Sequence, residues 1–152
     1  MKDSLDKANE ELKRVDHLIY VSLKYTRTCD IFKSIIERMI NAIEFMLDSL
    51  LRKLEDEGKI DSVPDQPIAK CNTVKKEYNN DNQIKDLADL YVRLRQMNRA
   101  SFERAREFRR HVTMTLDMGT EKVEINIDNI TEYFKRIKGD YEHVEKTIKG
   151  EI

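Results

Sequence analysis

From Leu5 the apolar positions recur as Leu5, Ala8, Leu12, Val15 and Ile19, and Ser22 and Thr26 continue the row. Spacings of three and four lay one stripe along a helix, with Asp3 or Ser4 placed to cap its start. A second run, Ile35, Ile36, Met39, Ile40, Ile43, Met46, Leu47, Leu50, Leu51 and Leu54, covers a much wider arc. An arc that wide needs several neighbours, so it predicts the central helix of a bundle, closed by Gly58. The register hardly breaks between the two runs, and one unbroken helix would reach about 75 Å. The stretch "YTRTCD" argues for a turn instead. It holds three residues of low helix propensity beside Cys29, and Thr28 or Asp30 can cap a new start. The alternative is a single long helix used in a coiled-coil-like dimer.

Both prolines fall in "GKIDSVPDQP", which predicts a loop over about 58–67. Ile68, Cys71, Val74 and Tyr78 then fit a short amphipathic helix with Pro67 in its first turn. After "NNDN", Ile84, Leu87, Leu90, Tyr91, Leu94 and Met97 mark the next helix. Phe102, Ala105, Val112 and Leu116 extend its stripe, with Phe108 on the edge, so the helix is expected to continue. Beyond Gly119, Val123, Ile125 and Ile127 alternate with Glu124, Asn126 and Asp128, the period of an extended strap over about 119–128. Asp128 or Asn129 would cap a last helix carrying Ile130, Tyr133, Phe134, Ile137, Tyr141, Val144 and Ile148. The expected fold is all-α: an antiparallel bundle of four main helices plus a short extra one, as a single domain over 1–152.

Composition agrees with a helical chain. Charged residues make up 38% of the sequence, Trp is absent, and there are four Gly and two Pro. The formal net charge of −1 provides no global field toward nucleic acid or membrane, so such binding requires a local patch. Cys29 and Cys71 are isolated and read as free thiols of a cytoplasmic protein. The start, "MKDSLDKANEELKR", is too polar for a signal peptide, and "IIERMINAIEFMLDSLL" carries too many charges to span a membrane. His17, His111 and His143 lack the Glu-x-x-His pairing of di-iron bundles, and Cys and His are too scattered for zinc. With no Gly-rich phosphate loop and no Ser elbow either, neither metal nor cofactor is expected.

The basic stretch "RAREFRRH", Arg104 to His111, remains. On a helical wheel Arg99, Arg106 and Arg110 gather opposite Phe102, Ala105, Val112 and Leu116, while Arg109 falls near the apolar arc. Glu103 and Glu107 lie three or four residues from these arginines, close enough to pair, as on a solvated helix face. A sharper possibility concerns Arg106 and His111. An imidazole can take a proton from a ribose 2′-hydroxyl, and a guanidinium can hold the phosphate, which suffices for metal-independent RNA cleavage. On a helix residues five apart diverge by about 140°, so the helix must end there or a second subunit must complete the site. Arg136 and His143 fit the same pattern at its longer spacing.

An Arg-x4-6-His motif late in a small helical bundle resembles the HEPN superfamily. The resemblance extends to the paired first helices, the strap "VEINID" and the closing "NITEYFKRIKGDYEHVEKTI", and the chain is similar to small archaeal proteins of that kind. It implies a HEPN-like fold and a homodimer with the motif Arg and His meeting across the cleft. The activity would be that of a metal-independent endoribonuclease of toxin, defence or RNA-processing type, with any antitoxin on a separate protein. Carried across, Arg106 binds phosphate and His111 is the acid/base, with Arg104, Arg109, Arg110 and Arg99 as further RNA contacts. Glu107, where the family favours Asn, Asp or His, departs from the pattern, as does Val112 after the histidine. The other reading is a catalytically silent helical module that dimerises or binds a partner.

Overall fold

The computed structural model describes residues 1–150; the last two positions of the expected 1–152 domain lie outside the described residues. Helix α1 (Lys2–His17) runs on through a π turn (Leu18–Ser22) and one last turn (Leu23–Tyr25). It stops at Thr26, whose backbone is extended, and Thr28 is extended again before α2 (Cys29–Asp56) begins. The chain therefore makes a helix–turn–helix here and not one long rod. Two β-branched threonines favour the extended backbone over a further helical turn.

Helix α2 spans about 42 Å, and its residues from Phe32 to Leu54 that form the wide apolar arc are buried. Gly58, at φ +73°, reverses the chain after it. Helix α3 (Pro67–Glu77) starts on its proline, and α4 (Asn82–Arg99) is capped by Asp81, whose Oδ1 accepts from the Ile84 amide at 3.0 Å. The last helix, α5 (Ile127–Lys149), is capped by Asn126 in a reciprocal box with Asn129 at 2.9 Å both ways. The cap thus lies two or three residues before the expected Asp128 or Asn129.

Side-chain partners give the helix directions. Glu11 meets Arg38 and Met1 meets Ser49, so α1 and α2 are antiparallel. Glu44 meets Tyr91, and Lys33 meets Asn98, which sets α4 antiparallel to α2. Asp81 meets His143 and Gln83 meets Asp140, while Asp6 lies near Tyr141 and Tyr20 against Phe134, placing α5 antiparallel to both α4 and α1. Four long helices and a short one thus share a core centred on α2. Among the described residues no helix is long and apolar enough to cross a membrane.

The fold is not purely helical. The helix expected to run from Ile84 to Leu116 ends at Arg99, and Ala100 is extended. Three antiparallel strands follow, in the order β1 (Ser101–Ala105), β2 (Thr113–Asp117), β3 (Lys122–Ile125). The physical reason lies in β2: Met114 and Leu116 alternate with Thr113, Thr115 and Asp117, a period of two in β-prone residues. Phe102 pairs with Leu116, Arg104 with Met114, and Met114 with Ile125, so one face of the sheet lies on the core. Glu103, Thr115 and Glu124 share the opposite face. The strap over 119–128 is a turn, strand β3 and the first residues of α5, so Ile127 is helical.

Candidate nucleic-acid interface

The stretch read as a helix face is a β-hairpin. Arg104 and Ala105 end β1, Arg106 to Val112 form the loop, and β2 begins at Thr113. Two turns build the loop: the Arg109 amide donates to the Arg106 carbonyl at 3.2 Å, and the Val112 amide to the Arg109 carbonyl at 3.1 Å. Val112 is fully buried and plugs the loop into the core.

Within the loop Arg106 has φ +56° and Phe108 φ +63°. Left-handed backbone at non-glycine residues costs on the order of 1–2 kcal/mol each, so the surroundings must hold it. The holding contacts are at the α1–α2 corner. The Phe108 amide donates to the Arg27 carbonyl at 2.6 Å, and Glu107 Oε2 accepts from the Cys29 amide, at the start of α2, at 3.0 Å. A carboxylate at a helix N-terminus is favourable in both hydrogen bonding and charge. Glu107 also takes a hydrogen bond from Arg104 at 3.3 Å, and Arg104 reaches Asp30 at 2.8 Å. Glu107 thus faces inward, while Arg106 and Phe108 on either side are exposed, Phe108 to 74%.

Of the predicted site residues, Arg104, Arg106, Arg109, Arg110 and His111 gather on this tip, all exposed. Arg109 is a loop residue with no apolar arc to approach. Arg99 is not with them. It ends α4, beside the base of the hairpin where Ser101 pairs with Asp117, and it lines clefts with Asp117 and with Glu37. Five strand residues, about 15 Å, separate it from the tip. Arg104 is neutralised, its guanidinium held firmly protonated first by the Asp30 hydrogen bond and also by Glu107. Arg106, Arg109 and Arg110 have no carboxylate within 4.0 Å among the described residues.

His111 sits five residues beyond Arg106, across the two turns. Its carbonyl accepts from the Thr113 hydroxyl at 2.9 Å, but among the described residues nothing bonds its ring. Beneath the loop Cys29 is buried and donates to the Thr113 carbonyl. Burial, then the Glu107 charge, pushes its thiol up, so it is not a poised thiolate. The other histidines lie elsewhere: His143 Nε2 meets Asp81 Oδ2 at 2.6 Å, and His17 is exposed on α1. His143 belongs to the α4–α5 contact, and Arg136 near it is exposed.

Sequence reading missed Arg27 and Asp30, which bond to the hairpin, and the exposed Tyr25 two residues before Arg27. They come from the α1–α2 corner, more than seventy residues from the loop, and no local pattern connects them. The hairpin itself had a signal: "VTMTL" alternates as a half-buried strand does. No family model, curated protein or solved structure matches this chain.

Proposed function

We propose that the chain is a binding module whose hairpin tip grips the phosphate backbone of RNA. One observation carries this: Arg106, Arg109 and Arg110 are solvent-facing and free of carboxylate partners among the described residues, on a loop fixed to the helical body. Two acids at the hairpin, Glu107 and Asp30, already engage Arg104. The tip is therefore positive although the whole chain carries −1. Guanidinium groups match phosphate geometry and suit such a role.

Titrating a labelled single-stranded RNA over a range of salt concentrations tests the proposal. Replacing Arg106, Arg109 and Arg110 with Gln should flatten the dependence of log K on log salt by about 2. An unchanged slope and affinity removes the reading.

The ribonuclease reading keeps one supporting observation. Arg106 and His111 share an exposed loop, so the divergence a helix would impose no longer applies. A general base, however, is usually oriented by a partner on its second nitrogen, and the His111 ring has none among the described residues. A homodimer or a separate protein partner would have to supply it. This reading expects RNA cleavage in EDTA that His111→Ala abolishes without altering the oligomeric state.

A further inference from the structure

We infer that the tip takes its nucleic acid single-stranded, by stacking an unpaired base on the exposed ring of Phe108 with Tyr25 beside it. This rests on the phosphate-binding reading of the same loop and names the form of its ligand.

Phe108 and Tyr25 are 74% and 78% exposed, more than any other large apolar side chain in the described residues. The Phe108 amide is bonded to the Arg27 carbonyl, which ties its backbone to the chain two residues beyond Tyr25. A phenyl ring in water on a left-handed residue contributes neither burial nor backbone ease. Such an outlier, held in place by Glu107 and Arg27, points to a function at the ring.

The faces of both rings are free. Elsewhere in the protein, cations cover aromatic faces: Lys33 and Arg104 lie over Phe102, Arg95 over Tyr91, and Lys138 over Phe134. Among the described residues no cation and no second ring lies over Phe108 or Tyr25. An open aromatic face amid unpaired arginines is the arrangement that binds single strands with little sequence preference. In a duplex the base faces are already stacked on one another, so the ring has nothing to take.

A second copy of the chain is a poorer occupant. A two-fold contact centred on the two rings would set Arg106, Arg109 and Arg110 against their own copies, like charge against like charge.

The chain has no tryptophan, so Phe108→Trp places a single indole reporter at the site. Oligouridine should quench its fluorescence, whereas an abasic oligomer with the same number of phosphates and a blunt duplex of the same length should not. In anisotropy titrations Phe108→Ala should weaken oligouridine binding about tenfold and leave abasic binding unchanged. Stacking is overturned if Phe108→Ala binds oligouridine like the wild type, or if duplex binds as well as single strand. It is also overturned if the indole signal follows protein concentration alone, the mark of self-association. In each case abasic binding that still depends on the arginines leaves the phosphate grip standing; loss of all polyanion binding removes both.

Discussion

The carbonyl of Arg27 accepts the amide of Phe108 at 2.6 Å, joining the turn between the first two helices to the tip of the hairpin. One residue back along the loop, Glu107 caps Cys29 and with it the start of α2. The loop conformation is thus set by the break between α1 and α2. An uninterrupted helix would direct the Arg27 carbonyl and the Cys29 amide into its own ladder and leave the loop without anchors.

Glu107 is then the residue whose loss should loosen the tip. Glu107→Ala removes the acceptor for the Cys29 amide and one partner of Arg104. A lost helix cap costs about 1 kcal/mol, or about 3 °C in melting temperature for a chain of this size. Glu107→Gln keeps an oxygen acceptor and loses the charge, so it should melt between Ala and wild type. Thermal unfolding followed by circular dichroism reads the order directly, and three equal melting points would mean that the cap contributes nothing.

At position 108 the usual ranking of Ala over Gly should reverse or vanish. In ordinary backbone Gly is the worse by roughly 0.5–1 kcal/mol, because it loses more freedom on folding. Here φ is +63° and the ring is exposed, so Phe108→Ala keeps the strain while Phe108→Gly relieves it. The Gly variant should be at least as stable as the Ala variant in urea unfolding. A Gly variant clearly weaker than Ala would show that the loop does not hold this conformation in solution.

The helical scaffold was legible because its signals are local. Three-four spacing marked α1, α2, α4 and α5, the prolines marked the loop before α3, and the threonines of "YTRTCD" marked the break. The hairpin was not read because Phe102, Ala105, Val112 and Leu116 also satisfy a helical spacing. The period-two signal of Met114 and Leu116 is only one strand long. Arg104, Arg106, Arg109 and Arg110 are close in the sequence and stay together at the tip, but their setting is not local: what separates Arg104 from Arg106 is Asp30, which belongs to α2. Arg99, adjacent in sequence, is removed from the tip by the length of β1.

The core should be far less tolerant than the tip. Leu47 is fully buried on the central face of α2, and Leu47→Ala should cost about 2–5 kcal/mol by removing packed atoms and leaving a void. Ile68 is 55% exposed on α3, and Ile68→Ala should fall within about 0.5 kcal/mol of wild type. Urea midpoints at constant slope would report both, and comparable losses would contradict the placement of α2 at the centre.

Asp140 offers a pH test of the α4–α5 contact. It is 5% exposed; its Oδ1 accepts from Gln83 at 2.9 Å, and Oδ2 is buried without a partner among the described residues. Burial raises its pKa above the ordinary value, with a smaller push from Asp86, while the Gln83 bond and the charges of Arg136 and His143 pull it down. With a native pKa above the unfolded one, the folded protein holds the proton more tightly. The associated stability is therefore fully present below about pH 4 and is lost as pH rises through the native value. Asn at this position retains an oxygen for Gln83 and does not titrate. The stability of Asp140→Asn minus that of wild type should therefore increase from about pH 4 to about pH 7, whatever its absolute level. Urea unfolding of both proteins across that range measures the difference. A difference that shrinks toward neutral pH would mean that the ionised carboxylate is stabilised in the fold, and that its charged neighbours outweigh its burial.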